Sequence, residues 1–298
     1  MGLAEWSSLV FLSVLWGGSF FFIEVALTEF TPLSIVALRV SIAASLIWVF
    51  VFIRGYPIPR SSKVWGAFLG MGLLNNVIPF VLIAWGQQEI ASGLASILNA
   101  AAPIFTVIVA GILLKDEPVT SGKVIGAVLG LLGVTILIGP SAVAGFSTSL
   151  IAQLAVLAAA LSYAFAGVYG RRFSSMSIHP VVAAAGQLLA STGVMIPIVF
   201  VFDNPSAVDS TGLGAWLAVI ALAVLSTALA YVVYFRLLER AGATNLLLVT
   251  LLIPITAILL GYAILAEQLH AFHFVGIAVI GLGLSAIDGR IWQYFSQR

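Results

Sequence analysis

The chain has 298 residues, 62% of them hydrophobic and only 8% charged, with a net charge of +1 and no cysteine. A soluble domain carries roughly a quarter charged residues, so this composition excludes an ordinary soluble fold. The balanced charge gives no basis for nucleic-acid binding, and the missing thiols exclude disulfides, thiol catalysis and thiolate metal sites.

Hydrophobic runs near 20 residues recur throughout, and a run of that length crosses a hydrocarbon core of about 30 Å as a helix. Lipid offers the backbone no hydrogen-bond partners, so such runs must be helical. In chain order the predicted segments are Ser7 to Leu27, Pro32 to Ile53, Val64 to Gly86, Ile90 to Leu114, Val124 to Gly139, Ile151 to Gly170, Pro180 to Phe202, Leu213 to Phe235, Asn245 to Ala266 and Phe272 to Ile287. The fifth and tenth are short. The first is full length and preceded by no basic residue, which reads as a retained helix and not a cleaved signal. The longest connections, Pro140 to Ser149 and Asp203 to Gly212, carry turn residues. Trp6, Trp65, Trp292 and Tyr294 fall near segment ends, where aromatic belts form.

The cations set the orientation. Arg54, Arg60 and Lys63, Lys115 and Lys123, Arg171 and Arg172, Arg236 and Arg240, and Arg290 and Arg298 fall in alternate connections or the tail. The intervening connections hold acids: Glu29, Glu89, Asp203, Asp209 and Glu267. The positive-inside rule makes the cation-bearing side cytoplasmic, with both termini there.

The two halves resemble each other. At a spacing of 150, Ala91 matches Ala241, Gly111 matches Gly261, Glu117 matches Glu267, Gly126 matches Gly276 and Gly133 matches Gly283. Pro32 and Pro180 match at 148, and Pro103 and Pro254 agree within one residue of the main spacing. Five segments per unit is odd, so the second copy enters the membrane from the opposite side. Such an inverted repeat places a site near the midplane and supports alternating access. The expected organisation is an all-α integral membrane protein of ten helices, with one repeat in residues 1–140, a second in 150–290 and a short cytoplasmic tail at 291–298.

With these features the chain resembles the drug/metabolite transporter superfamily, specifically ten-helix exporters built from two EamA-type repeats. The carrying residues are Leu15-Trp16-Gly17-Gly18-Ser19-Phe20, Pro32 with Arg39, Pro103-Ile104-Phe105 and Leu113-Leu114-Lys115-Asp116-Glu117-Pro118. The second half follows the plan through Leu161-Ser162-Tyr163-Ala164, Pro254-Ile255 and Leu265-Ala266-Glu267-Gln268. Many such sequences carry a lysine eight residues after the first-segment tryptophan. Here that position is Glu24, so no role of that lysine carries over. The resemblance implies export of small metabolites across a bacterial inner membrane, with amino acids the leading class and no cofactor.

Several residues are candidates for the site. Pro79 follows Asn75 by four residues, Pro103 follows Asn99, and Pro254 follows Thr250. Proline frees the carbonyl four residues back, so each pair offers a polar side chain beside a freed carbonyl and a bend that lets the helix rock. Asn76 lies about 100° round the helix from Asn75, which places the two on different faces. Trp16, Tyr163, Tyr231 and Tyr234 present aromatic bodies with polar tips, as small-ligand pockets do. Ser19 either lines the same face or aids close packing. Glu24 and Arg39 are the ionisable residues within spans, expected to pair with each other or to reach back to the outer interface. Both then lie too shallow for a midplane proton site, leaving a cavity built from neutral groups. Such a cavity suits an amino acid and disfavours multiply anionic substrates, which call for Lys or Arg.

Glycines recur at Gly122, Gly126, Gly130 and Gly133, and at Gly276, Gly281 and Gly283. They allow close helix approach within one chain or across a homodimer. His179, His270 and His273 lie near boundaries without clustered carboxylates, so no metal site is expected. Hydrophobic cations are an alternative cargo, because aromatic walls suit them. An intramembrane enzyme would need Ser–His or paired carboxylates at depth, and a channel would need a filter motif or a ring of charge.

Overall fold

The computed structural model describes residues 2–114, 121–138, 148–203, 212–246, 249–267 and 270–288. Every regular element among them is helical, as chains that must satisfy their backbone inside lipid require. Seven rods are long and apolar enough to cross a membrane: α1 (Leu3–Ala26), α2 (Pro32–Arg54), α3 (Ser62–Gly86), α4 (Ser92–Leu113), α6 (Thr148–Ser175), α7 (Pro180–Phe202) and α8, whose spanning part is Leu213–Leu237. Three shorter apolar helices complete the described set: α5 (Ser121–Ile138), α9 (Val249–Leu265) and α10 (Ala271–Asp288). The ninth predicted segment is thus shorter than expected. Lys115, Glu117, Asp209, Arg290, Trp292, Tyr294, Arg298 and most of the tail lie outside the described residues.

Helix ends follow local chemistry. Thr31 Oγ1 accepts from the Ser34 N–H at 3.2 Å, and Pro32 occupies the first turn of α2. Its counterpart His179 accepts through Nδ1 from the Val181 N–H at 3.2 Å, ahead of Pro180 in α7. Both pairs combine a cap with a residue whose missing N–H costs nothing there. Gly55 ends α2 at φ 65°, the left-handed conformation that glycine adopts without steric cost. α6 and α8 run past their predicted ends to Ser175 and Leu246. The extensions contain Arg171, Arg172, Arg236 and Arg240, good helix formers that continue the rods beyond the apolar part.

Three helices are irregular, each within the span. α4 is broken at Ala100–Ala101, so Pro103 sits in the first turn of a new helix, Ala102–Leu113. Pro254 lies inside α9 without ending it. α3 contains a π-helical turn at Leu73–Val77, and α8 contains one at Val224–Leu229.

Packing joins the halves. α5 and α10 meet through their glycines: a side chain at Gly283 would meet Gly126 O at 2.7 Å, and one at Gly133 would meet Ile280 Cγ1 at 2.7 Å. The glycine ridges therefore serve packing within one chain, with branched side chains such as Val128, Leu132, Val275 and Leu282 facing outward. Several of the remaining contacts come in pairs related by exchanging helix n with helix n + 5. α1 packs on α9 and α6 on α4, α1 on α8 and α6 on α3, and α3 on α7 and α8 on α2, while α2 packs on α7.

Candidate functional site at the centre of the bundle

The two π turns occupy corresponding places. Adding 151 to Asn75 and Asn76 gives Ser226 and Thr227, so each π turn carries two adjacent polar residues. The 148 spacing of Pro32 and Pro180 likewise sets Arg39 opposite Gln187. These are the residues that meet. Arg39 Nε donates to Thr227 Oγ1 at 2.9 Å, joining α2 to the π turn of α8. Gln187 Oε1 accepts from Asn75 Nδ2 at 3.2 Å, joining α7 to the π turn of α3. One pattern of contact thus appears twice, each time between halves.

Tyr231 ties the network together. Its hydroxyl accepts from Asn75 Nδ2 at 3.2 Å and donates to Asn76 Oδ1 at 3.3 Å. Asn76 Nδ2 donates to Ser191 Oγ at 3.1 Å, and Ser191 Oγ donates to Gln187 O at 2.7 Å. Asn76 is fully buried against Ser191 whereas Asn75 keeps accessible surface, so the two differ in what they face although one tyrosine hydroxyl reaches both amides. The π register adds a second carbonyl to the account. Ile78 N–H pairs with Leu73 O five residues back, so in that ladder Pro79 has no N–H to offer Leu74 O. Ser162 Oγ of α6 donates to it at 2.7 Å, as a buried carbonyl at membrane depth requires.

Arg39 departs most from expectation. It neither pairs with Glu24 nor reaches back to the interface. Glu24 instead accepts from Gln87 Nε2 at 3.1 Å, and that amide also donates to Phe20 O at 2.9 Å. Arg39 is 6% exposed, with its guanidinium carbon 3.6 Å from the centre of the Phe80 ring. Tyr163 and Tyr231 are its electrostatic neighbours. A buried arginine costs about 2.5 kcal/mol or more at the centre of a membrane helix. A hydrogen bond to a charged group returns about 1.5–3 kcal/mol, and a desolvated cation–π contact about 2 kcal/mol. The stem of Arg39 is long enough to carry the charge inward from α2 to the middle of α8, where those partners are. The centre of the bundle consequently carries a charged group and not neutral groups alone.

The other candidates divide. Tyr163 and Tyr231 stand within spans and are partly buried, and Tyr231 bonds to Asn75 and Asn76 of the other half. Trp16 is half-buried with its ring 5.6 Å from that of Tyr234. Asn99 ends the first part of α4, and its buried Oδ1 has no hydrogen-bond partner among the described residues. Ser226 Oγ is also buried without one. Ser19 is buried and donates to Trp16 O on its own helix; beside it, a side chain at Gly17 would meet Ile253 O at 2.8 Å, which favours the packing role for this stretch. Thr250 is half-buried in the first turn of α9. Gln187, Ser191, Thr227 and Ser162 were missed, although the two repeat spacings point to the first and third.

The two ends of the bundle differ. At one, the halves are clasped: Asp203 accepts from the hydroxyls of Thr31 and Ser34, Glu29 accepts from Gly212 N–H, and Glu267 accepts from Ser92 and Gly93 N–H at 2.8 and 3.0 Å. The last contact sets a carboxylate on the N-terminus of α4, where the helix dipole favours it. At the other end a cavity of about 340 Å³ lies between α1 and α8, lined by Glu5, Ser8, Arg236 and Arg240 among others.

Comparison with known proteins agrees with this architecture. The EamA-like transporter family matches twice, over residues 5–139 and 150–287. The uncharacterized transporter YoaV of Bacillus subtilis is 24% identical over 277 residues, covering 93% of this chain and 94% of its own. The uncharacterized inner membrane transporter YedA of Escherichia coli K12 is 25% identical over 275 residues, covering 92% and 87%. A solved crystal structure at 22% identity superposes with a TM-score of 0.67 over 93% of this chain and 94% of that one, which is agreement in fold. The chain is a multi-pass membrane protein and belongs to the EamA-like transporter family.

Proposed function

We propose that the chain is a secondary transporter that exports small metabolites, with amino acids the leading class, from the cytoplasm across a bacterial inner membrane. Ten helices form two inverted repeats, and substrate crosses by alternating access through the space between them. The observation that carries this reading is the central network: two matched π turns whose polar residues bond across the halves, with Tyr231 joined to both asparagines. A carrier needs a site that both halves share and can expose alternately. The clasped end is the one that the charge rule names as outer, and the cavity with Arg236 and Arg240 lies at the inner end. That arrangement suits loading from the cytoplasm. No Gly-Lys-Ser/Thr phosphate loop occurs in the sequence, so the drive comes from gradients. The buried charge of Arg39 weighs against hydrophobic cations as cargo.

The test is counterflow of each of the twenty amino acids in proteoliposomes. Saturable counterflow of one or more is expected, and its absence for all of them rejects the substrate class. Asn99→Ala is expected to lower transport several-fold while insertion stays normal, because it removes an unpartnered acceptor and little packing. Wild-type rates from a well-inserted Asn99→Ala protein would remove Asn99 from the site.

A further inference from the structure

We infer that Arg39 receives the carboxylate of the transported molecule, so that one carboxylate is a condition of transport. The inference rests on the reading of the bundle centre as the transport site and specifies what that site demands.

A guanidinium carries five N–H donors in a planar fork. Among the described residues only one of these donors has an acceptor, Thr227 Oγ1, and it is reached through Nε. The outer pair, the part of the fork that matches a carboxylate with two parallel hydrogen bonds, has none. One face of the fork is covered by Phe80, which closes that side to a ligand and leaves the N–H edge as the part that can form two parallel hydrogen bonds. No carboxylate of the described residues bonds to Arg39, since the acid nearest to hand in sequence terms, Glu24, is engaged by Gln87. Tyr163 and Tyr231 are electrostatic neighbours of Arg39, and the Tyr231 hydroxyl is itself bonded to Asn75 and Asn76.

Two further features narrow the ligand. The groups around the guanidinium are a threonine, a phenylalanine and two tyrosines, without a second cation. One fixed positive charge suits one monoanion, whereas a phosphate dianion calls for more. The repeat also breaks its own symmetry here. Gln187 holds the place on α7 that Arg39 holds on α2, and its carbonyl is engaged by Asn75. The positive charge thus lies on one side of the pseudo-symmetric centre, and a bound zwitterion would lie with its carboxylate toward α2 and α8.

The experiment uses the full-length chain in proteoliposomes. Each amino acid that shows counterflow is competed with its own α-carboxamide, which keeps the shape and removes the anion. The carboxamide is expected to compete at least about thirtyfold more weakly, the scale of losing one partner of a buried charged pair. R39Q is expected to lose counterflow by a similar factor, with R39K retaining part of it. Equal competition by the carboxamide overturns the inference on the wild-type protein alone, even if R39Q fails to fold. Wild-type counterflow from R39Q also overturns it. If no amino acid is transported, the same vesicles are tested with lactate, pyruvate and succinate. Counterflow of one of these that R39Q abolishes rejects amino acids as cargo and upholds Arg39 as the carboxylate receptor. No counterflow of any carboxylate rejects both.

Discussion

Replacing Gly133 with leucine is expected to destabilise the protein by about 3 kcal/mol, the upper range for overpacking a close contact. A first side-chain carbon there would lie 2.7 Å from Ile280 Cγ1 and 2.9 Å from both Gly276 O and Ile280 N. Two of those atoms belong to the backbone of α10, so relief requires moving the helix. Leucine also raises helix propensity over glycine by roughly 0.8–1 kcal/mol, so any net loss must come from the helix–helix contact. Leu132→Ala is the control. Leu132 neighbours Gly133 in sequence but is 52% exposed on the outer face, and a change within about 0.5 kcal/mol is expected there. Thermal unfolding of the two variants in detergent separates the cases. A Gly133→Leu protein that melts with the wild type would mean that α5 and α10 do not pack through their glycines.

Tyr231→Phe is expected to reduce transport on the order of tenfold, a barrier change of about 1.4 kcal/mol, while the fold survives. The substitution keeps the ring and removes the hydroxyl that joins Asn75 to Asn76. Hydrogen bonds inside membranes average about 0.6 kcal/mol and reach about 1.7 kcal/mol, so losing two costs roughly 1–3 kcal/mol in stability. The transport effect is expected because the freed amides can repair locally in either of two ways, and the shared geometry between the π turns is lost. Initial counterflow rates, normalised to inserted protein, provide the check. An unchanged rate would make Tyr231 a packing residue.

The helical class and the segment order were readable from hydropathy alone, because a lipid-spanning backbone has few options. Seven predicted segments correspond to rods of spanning length, and α7 has the predicted ends, Pro180 and Phe202. The break at Ala100–Ala101 lies where Pro103 removes an N–H from the helical ladder, whereas Pro254 is carried inside α9. The π turns were not readable. Nothing in the run Leu73-Leu74-Asn75-Asn76-Val77 states a five-residue register, and that register brings Leu74 O into the account. The depth of Arg39 was misjudged for a related reason: its Cα position gives about 10 Å by helical rise, but a long side chain goes where its partners are.

The sequence by itself determined a bundle of apolar helices, the likeness of its halves, the uneven distribution of its cations and the chemical types available for a site. These follow from composition and spacing, which depend on each residue's own side chain. Tertiary structure alone decided the partners. It sent Arg39 to Thr227 and Phe80 and not to Glu24, turned the glycine ridges of α5 and α10 toward each other, and gathered Asn75, Asn76, Gln187 and Tyr231 into one network. In a membrane an uncommitted polar group draws its partners from whatever the packed helices bring close. That choice depends on helix register and neighbour identity, which no single segment encodes.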